Sequence, residues 1–161
     1  MEKIWTTIEL INWCKPYFEK QGVDSPRLTI ELMIAHVLQK PRIQLYTQFD
    51  RPFSEEELST LRAMIKRRAA REPLQYILGE TEFFGLTLNV SPAALIPRPE
   101  TELLVEYVMN RLKRENIRDV SILDIGTGTG CIALALAKNL PESAVYGIDV
   151  SEEALTLAKS N

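Results

Sequence analysis

Residues 120–150, VSILDIGTGTGCIALALAKNLPESAVYGIDV, constrain the fold more than any other stretch of this chain. VSILDI is a short apolar run of the kind that forms a strand buried on both faces of a parallel sheet. GTGTG then forms a loop, CIALALAKNL a helix, AVYGIDV a second strand and SEEALTLAKS a further helix. The order is that of a βαβ unit, the opening of a doubly wound sheet. Gly126, Gly128 and Gly130 let the backbone turn sharply and approach a ligand with no Cβ in the way. The helix that follows aims its unpaired N–H groups at whatever the loop holds. Asp149 closes the second strand 19 residues after Gly130. At that distance an acidic side chain grips the two hydroxyls of an adenosine ribose.

The spacing also discriminates between adenosine cofactors. The dinucleotide fingerprint is G-x-G-x-x-G/A, and its third small position would fall here on Cys131. The observed loop is D-x-G-x-G-x-G, led by Asp124. It resembles the S-adenosylmethionine loop of class I methyltransferases. That cofactor has no pyrophosphate and carries an ammonium and a sulfonium, so a carboxylate at Asp124 suits it better than it suits a phosphate. A glycine-rich turn with no ligand is the plain alternative, and the strand–loop–helix–strand–Asp context weighs against it.

At 161 residues the chain can hold one mid-sized domain or two small ones. Its 45% hydrophobic and 25% charged content is that of an ordinary globular protein. A net charge of −3 and a pI near 5.3 argue against a general nucleic-acid binder. The longest uncharged run near the C-terminal half, residues 125–137, is shorter than the ~20 residues of a membrane span, and the N-terminus lacks an apolar signal core. Cys14 and Cys131 stand too far apart in sequence to suggest a disulfide framework or a metal cluster. A cytoplasmic setting is expected, with no membrane contact and no metal.

Residues 1–73 read as successive helices. Ile4, Ile8 and Ile11 with Trp5 give the first an apolar stripe, ending near Gly22. Ser25 can cap the second, with Pro26 at its first position and Leu28, Leu32 and Ala35 on one face. A short turn follows over Arg42 to Tyr46. Ser54 and Glu57 form a capping box ahead of Leu58, Leu61 and Ile65. QYILGETEFFGLTLNV carries β-formers around Gly79 and Gly85 and reads as a hairpin or pair of strands, placing a linker over 74–94. LIPRPETELL opens a helix from about Pro99 to Arg114, with Leu103, Leu104, Tyr107, Val108 and Leu112 as its apolar positions. Its acids lie in the first turn and its bases in the last, as the helix dipole favours.

Four further features have a plain reading. Lys66, Arg67, Arg68 and Arg71 form a solvated face at a helix C-terminus rather than a patch for RNA or an acidic partner. His36, with no companion ligand, binds no metal. Trp5, Trp13, Tyr17 and Phe18 are core rather than docking surface. Cys131 is a small packing residue; the helix start favours a thiolate, but no base stands beside it in sequence.

Taken together, FFGLTLNVSPAALIPRPETELLVE and ILDIGTGTGCIALALA resemble the protein-(glutamine-N5) methyltransferases that modify class 1 peptide-chain release factors, the HemK/PrmC family. The resemblance runs the length of the chain. It implies a helical substrate-recognition domain (1–73), a hairpin linker (74–94) and the beginning of a Rossmann-like, doubly wound S-adenosylmethionine domain (95–161). It implies that Gly126, Thr127, Gly128, Thr129 and Gly130 wrap the methionine end of the cofactor while Asp149 takes the ribose. Phe84 and Arg98 would be further contacts, with Pro97 and Arg98 forming a wall of the site. The implied substrate is a glutamine amide in the Gly-Gly-Gln motif of a release factor, and the implied state a monomer that makes no direct nucleic-acid contact. The family's Asn-Pro-Pro-Tyr motif, which orients that amide, is not among these residues. The resemblance therefore implies an N-terminal portion, truncated before the chemical step and inactive alone, with no catalytic residue assigned. Two other readings stand beside it: an N6-adenine methyltransferase acting on a flipped base, disfavoured by the acidic pI, and a non-catalytic helical interaction module.

Overall fold

The computed structural model describes residues 4–161, and the chain divides into one unit running to Leu78 and another from Gly79 to Asn161. The first unit is helical. α1 (Thr7–Lys20) opens on a capping box in which Thr6 and Glu9 satisfy each other's backbone N–H. α2 (Pro26–Leu38) is followed by a 3₁₀ turn at Arg42–Thr47. α3 (Glu55–Ala69) starts on the expected Ser54–Glu57 capping box, and α4 (Leu74–Leu78) closes the unit. The loop before α3 is tied to the chain's beginning: Phe53 N–H donates to the Trp5 carbonyl and Thr7 N–H to that of Arg51.

The core of this unit gathers Leu10, Ile11, Cys14 and Phe18 from α1, Ile30, Met33 and Ile34 from α2, and Leu58, Leu61 and Ile65 from α3. Several expected stripes shift in phase. In α1 the buried face is Thr7, Leu10, Ile11, Cys14 and Phe18; Ile8 lies off that face and Ile4 is exposed. α2 is buried over much of its circumference, through Thr29, Ile30, Glu31, Met33, Ile34 and Ala35, while Leu28 faces solvent. It packs against α1, α3, α4 and the 3₁₀ turn, which is why no single stripe marks it. Ser25 does not cap it: that residue adopts φ +47°, and its side chain makes no cap bond. Among the four aromatics, Phe18 is fully buried and Trp5 and Tyr17 pack on the core, but Trp13 is half-exposed, stacked on Tyr17 at 5.3 Å.

Charges tie this unit together. Glu31 is buried with a satisfied carboxylate: Arg27 Nε and Arg42 Nη1 each donate at 2.8 Å, and the Tyr46 hydroxyl at 2.9 Å. Burial alone would raise its pKa, but hydrogen bonds from Arg27, Tyr46 and Arg42 outweigh that and hold the carboxyl below its ordinary value. The basic cluster near residue 70 serves structure too. Arg67 forks onto Glu72 and reaches the Tyr76 carbonyl, Arg68 donates to the Glu72 carbonyl and Arg71 to that of Gly22. Lys66, Arg67 and Arg71 are exposed, as a solvated face requires, but the three guanidiniums also act as fasteners, and Arg68 is partly buried.

The second unit begins with a hairpin, β1 (Glu80–Phe83) and β2 (Leu86–Asn89), antiparallel with Phe83 opposite Leu86. It starts later than expected, because Leu74–Leu78 is helical. The two-residue turn is Phe84–Gly85, both at positive φ (+48° and +69°), as a twist-matched hairpin turn demands. The Glu102 carboxylate accepts the Phe84 N–H at 2.8 Å, and Lys138 donates to the Gly85 carbonyl at 3.1 Å. α5 (Pro99–Arg114) leads to β3 (Ser121–Ile125), α6 (Cys131–Asn139), β4 (Ala144–Ile148) and α7 (Glu152–Ser160). β3 and β4 are parallel and in register from Ser121–Ala144 to Ile125–Ile148. Phe83, Leu88, Val105, Ala135 and Leu136 form the core, with Ile122 and Val145 packed on it. The sheet's other face, Leu123, Ile125, Tyr146 and Ile148, is exposed. Along α5 the buried residue is Val105; Leu103, Leu104 and Tyr107, expected in the apolar stripe, are exposed.

Candidate functional site: the glycine loop between β3 and β4

The loop joins β3 to α6 and is held against the end of the neighbouring strand β4. The N–H groups of Gly126 and Thr127 both donate to the Ile148 carbonyl, at 2.8 and 2.9 Å, and the Gly130 N–H to the Thr127 carbonyl at 2.8 Å. Gly126, Gly128 and Gly130 all have positive φ, from +56° to +80°, where L side chains are strained. A Cβ on Gly126 would meet nothing within 4 Å, so that position faces open space. A Cβ on Gly130 would lie 3.2 Å from that of Ala158, so α7 packs directly on the loop.

Two carboxylates brace this arrangement. Asp124, on β3, accepts the Thr127 hydroxyl at 2.8 Å. Asp149, just past β4, accepts the Gly128 N–H at 2.9 Å through one oxygen and the Ser151 N–H at 3.0 Å through the other. The Ser151 and Gly128 amides hold the Asp149 carboxyl below its ordinary range. It is thus ionised, and each oxygen has a second lone pair to offer. Beside it a cavity of about 260 Å³ opens at the C-terminal ends of both strands, lined by Ile125, Gly126, Ile148, Asp149 and Val150. Ligands of open α/β sheets bind at that edge.

The structure therefore brings together Asp124, the loop Gly126–Gly130 and Asp149. It does not join Phe84 to them: that ring packs on the core beneath the hairpin. Arg98 is the exposed N-cap of α5, its side chain making no cap bond. The element around it arrives by another residue, Ala94, whose Cβ would sit 3.7 Å from a Cβ on Gly128. Burial pushes the Cys131 thiol up in pKa, with the Thr129 hydroxyl pulling the other way, in keeping with a packing role.

Three contributors escaped the sequence reading. Gly147 lies directly beneath the loop, and a Cβ there would come within 2.8 Å of Thr127 Oγ1. A lone glycine inside a strand signals such a close approach, so this one was detectable. Ala94 and Asn161 reach the loop only through tertiary folding, and nothing local marks them.

Comparison with known proteins agrees with this architecture. Residues 9–79 match the family described as PrmC N-terminal domain, and residues 117–161 one described as methyltransferase domain. A protein of Geobacter sulfurreducens named release factor glutamine methyltransferase is 44% identical over 159 residues, which is 99% of this chain and 55% of that protein. Proteins of the same name from Chlorobaculum tepidum and Vibrio cholerae are 44% and 48% identical, covering 99% and 89% of this chain and 55% and 49% of their own lengths. The chain spans about half the length of the curated relatives it matches. A helical unit matching the PrmC N-terminal domain, a methyltransferase-domain match after it, and this level of identity make the chain similar, over nearly its whole length, to the first half of proteins named release factor glutamine methyltransferase.

Proposed function

We propose that the second unit is the cofactor-binding part of an S-adenosylmethionine-dependent methyltransferase. Its substrate is the side-chain amide of a glutamine, in the Gly-Gly-Gln motif of a class 1 peptide-chain release factor. One observation carries the cofactor assignment: the ionised Asp149 carboxylate, fastened to Gly128 of the loop, beside a cavity with apolar walls. The residues fit the group. Both oxygens of Asp149 retain acceptor capacity for a vicinal diol. Ile148 and Val150 offer an apolar slot for a base, and Gly126 leaves open the space that a Cβ would take. Asp124 spends one oxygen on Thr127, leaving the other to attract an ammonium. When bound, S-adenosylmethionine supplies an electrophilic methyl group. The chain's own part is to bind, orient and desolvate it, through Asp124, Gly126, Thr127, Gly128, Thr129, Gly130 and Asp149. Arg98 and Phe84 enter this reading only through the family resemblance. The chemical step is assigned to no residue of this chain.

The release-factor substrate and the helical unit's part in recognising it rest on the relatives' names and on the match to the PrmC N-terminal domain. A cytoplasmic site of action follows from such a substrate; among the described residues no helix is long and apolar enough to cross a membrane. Two measurements test the reading. Calorimetry of the chain should show S-adenosylhomocysteine binding more tightly than NAD, with Asp149→Asn weakening it at least tenfold; tighter NAD binding would overturn the cofactor. In a chimera where residues 1–161 replace the matching part of the Geobacter sulfurreducens relative, mass spectrometry should find one methyl on a release-factor glutamine. Methylation of adenine in DNA instead would overturn the substrate.

A further inference from the structure

Asn161 follows the last turn of α7, three residues after Ala158, so the two share a helix face. Both meet the glycine loop. Ala158 packs against Gly130, and Asn161 Nδ2 donates to the Thr129 carbonyl at 2.9 Å. The rest of the Asn161 amide is spent on the hairpin: Oδ1 accepts the Asn89 N–H at 2.7 Å, and Nδ2 donates to the Asn89 carbonyl at 3.1 Å. One side chain thus pairs with Asn89 as a strand neighbour would, and with its remaining hydrogen holds the loop.

Both N–H donors of the amide and its oxygen are engaged. Its partners lie 72 and 32 residues away in sequence, so it fastens two segments that local structure does not bring together. The loop is consequently gripped at two successive residues, Gly128 through its N–H by Asp149 and Thr129 through its C=O by Asn161. From Asn89 the chain runs on to Ala94, the residue packed against Gly128.

We infer that Asn161 is a positioning residue of the cofactor site, holding the glycine loop and the Asn89–Ala94 segment in one fixed geometry. The inference rests on the reading of the loop as a cofactor site only for its effect on affinity; the clamp itself is a property of the chain. Hydrogen exchange in the chain tests it. Asn161→Ala should speed exchange of the amides of Gly128, Thr129 and Asn89 about tenfold or more, while the melting temperature moves little. Asn161→Asp, of the same shape but with no donors, should do the same, because a carboxylate would face two carbonyl oxygens. S-adenosylhomocysteine affinity should fall about tenfold in both variants, as the loss of hydrogen bonds that pre-order a site predicts. Loop exchange unchanged from the parent would overturn the clamp, whether or not the cofactor binds. Faster loop exchange in the variants, together with a parent that binds no S-adenosylhomocysteine, would uphold the clamp and sink the cofactor reading instead.

Discussion

The two units solve the problem of burial to different degrees. The helical unit encloses Phe18, Ile30, Met33, Ile34 and Leu61 almost completely. The second unit leaves Leu95, Leu103, Leu104, Tyr107, Leu123, Ile125, Tyr146, Ile148 and Val150 exposed around a small core centred on Phe83, Leu88, Val105, Ala135 and Leu136. Their charges diverge as well. Residues 1–78 carry twelve Lys and Arg against ten Asp and Glu, and residues 79–161 carry seven against twelve. The helical unit leaves only scattered apolar side chains such as Ile4, Leu28 and Ile43 in solvent, whereas the sheet unit holds two parallel strands whose outer face is bare, and parallel sheets are ordinarily covered on both faces. A well-ordered loop does not require a closed core: strand ends, two carboxylates and three glycines fix it locally.

The largest expected effect comes from separating the units. Residues 1–78 should melt cooperatively when excised, whereas 79–161 should show no cooperative transition by circular dichroism; a sharp melt of the second fragment would break the contrast. At the level of one side chain, Phe18→Ala should cost about 3–5 kcal/mol in a denaturant titration. Leu123→Ala, on the bare sheet face, should cost less than about 1 kcal/mol. Equal costs would mean that the face is covered in solution.

Glu31→Gln keeps the shape but removes the charge that Arg27 and Arg42 share. The expected loss is about 2 kcal/mol, below the range for a fully buried pair because both arginines are half-exposed. The pH dependence carries a sign. A folded-state value lowered from the ordinary 4.5 gives stabilisation that is complete above that value and is lost as acid takes the pH down through the lowered one. Glu31→Gln should therefore flatten the acid limb of the stability curve. The smallest effect belongs to the hairpin turn: Lys138→Ala removes one exposed hydrogen bond to Gly85 and should change stability by less than about 0.5 kcal/mol.

What could be read in the sequence was whatever has a short-range signature. The Ser54–Glu57 capping box, the start of α5 at Pro99 and the strand–loop–helix–strand order of residues 121–148 each follow from residues within a few positions of one another. Asp124, Gly126–Gly130 and Asp149 converge because that order places both strand ends at one edge. The phase of burial was less legible. In α1 and α5 apolar side chains outnumber the positions the core can take, so periodicity alone could not choose Leu10 over Ile8 or Val105 over Leu104. Ser25 carries the composition of a cap without its geometry, because a residue at φ +47° cannot present its hydroxyl to the helix. Asn161 and Ala94 were invisible for a different reason, since their partners are tertiary.

Gly147 and Thr127 occupy, between them, a single side-chain volume. The threonine fills the space above the strand, and the strand yields its own Cβ to admit it. The two positions therefore have one degree of freedom rather than two. Gly147→Ala alone should weaken the fold by about 1–3 kcal/mol through overpacking, and Thr127→Ala alone should leave a void and strip Asp124 of its hydroxyl donor. Combined, they should cost less than the sum, a favourable coupling that a double-mutant cycle reads directly. A loop grafted onto this strand must therefore bring its own partner at position 147: the strand is one half of the loop's mould.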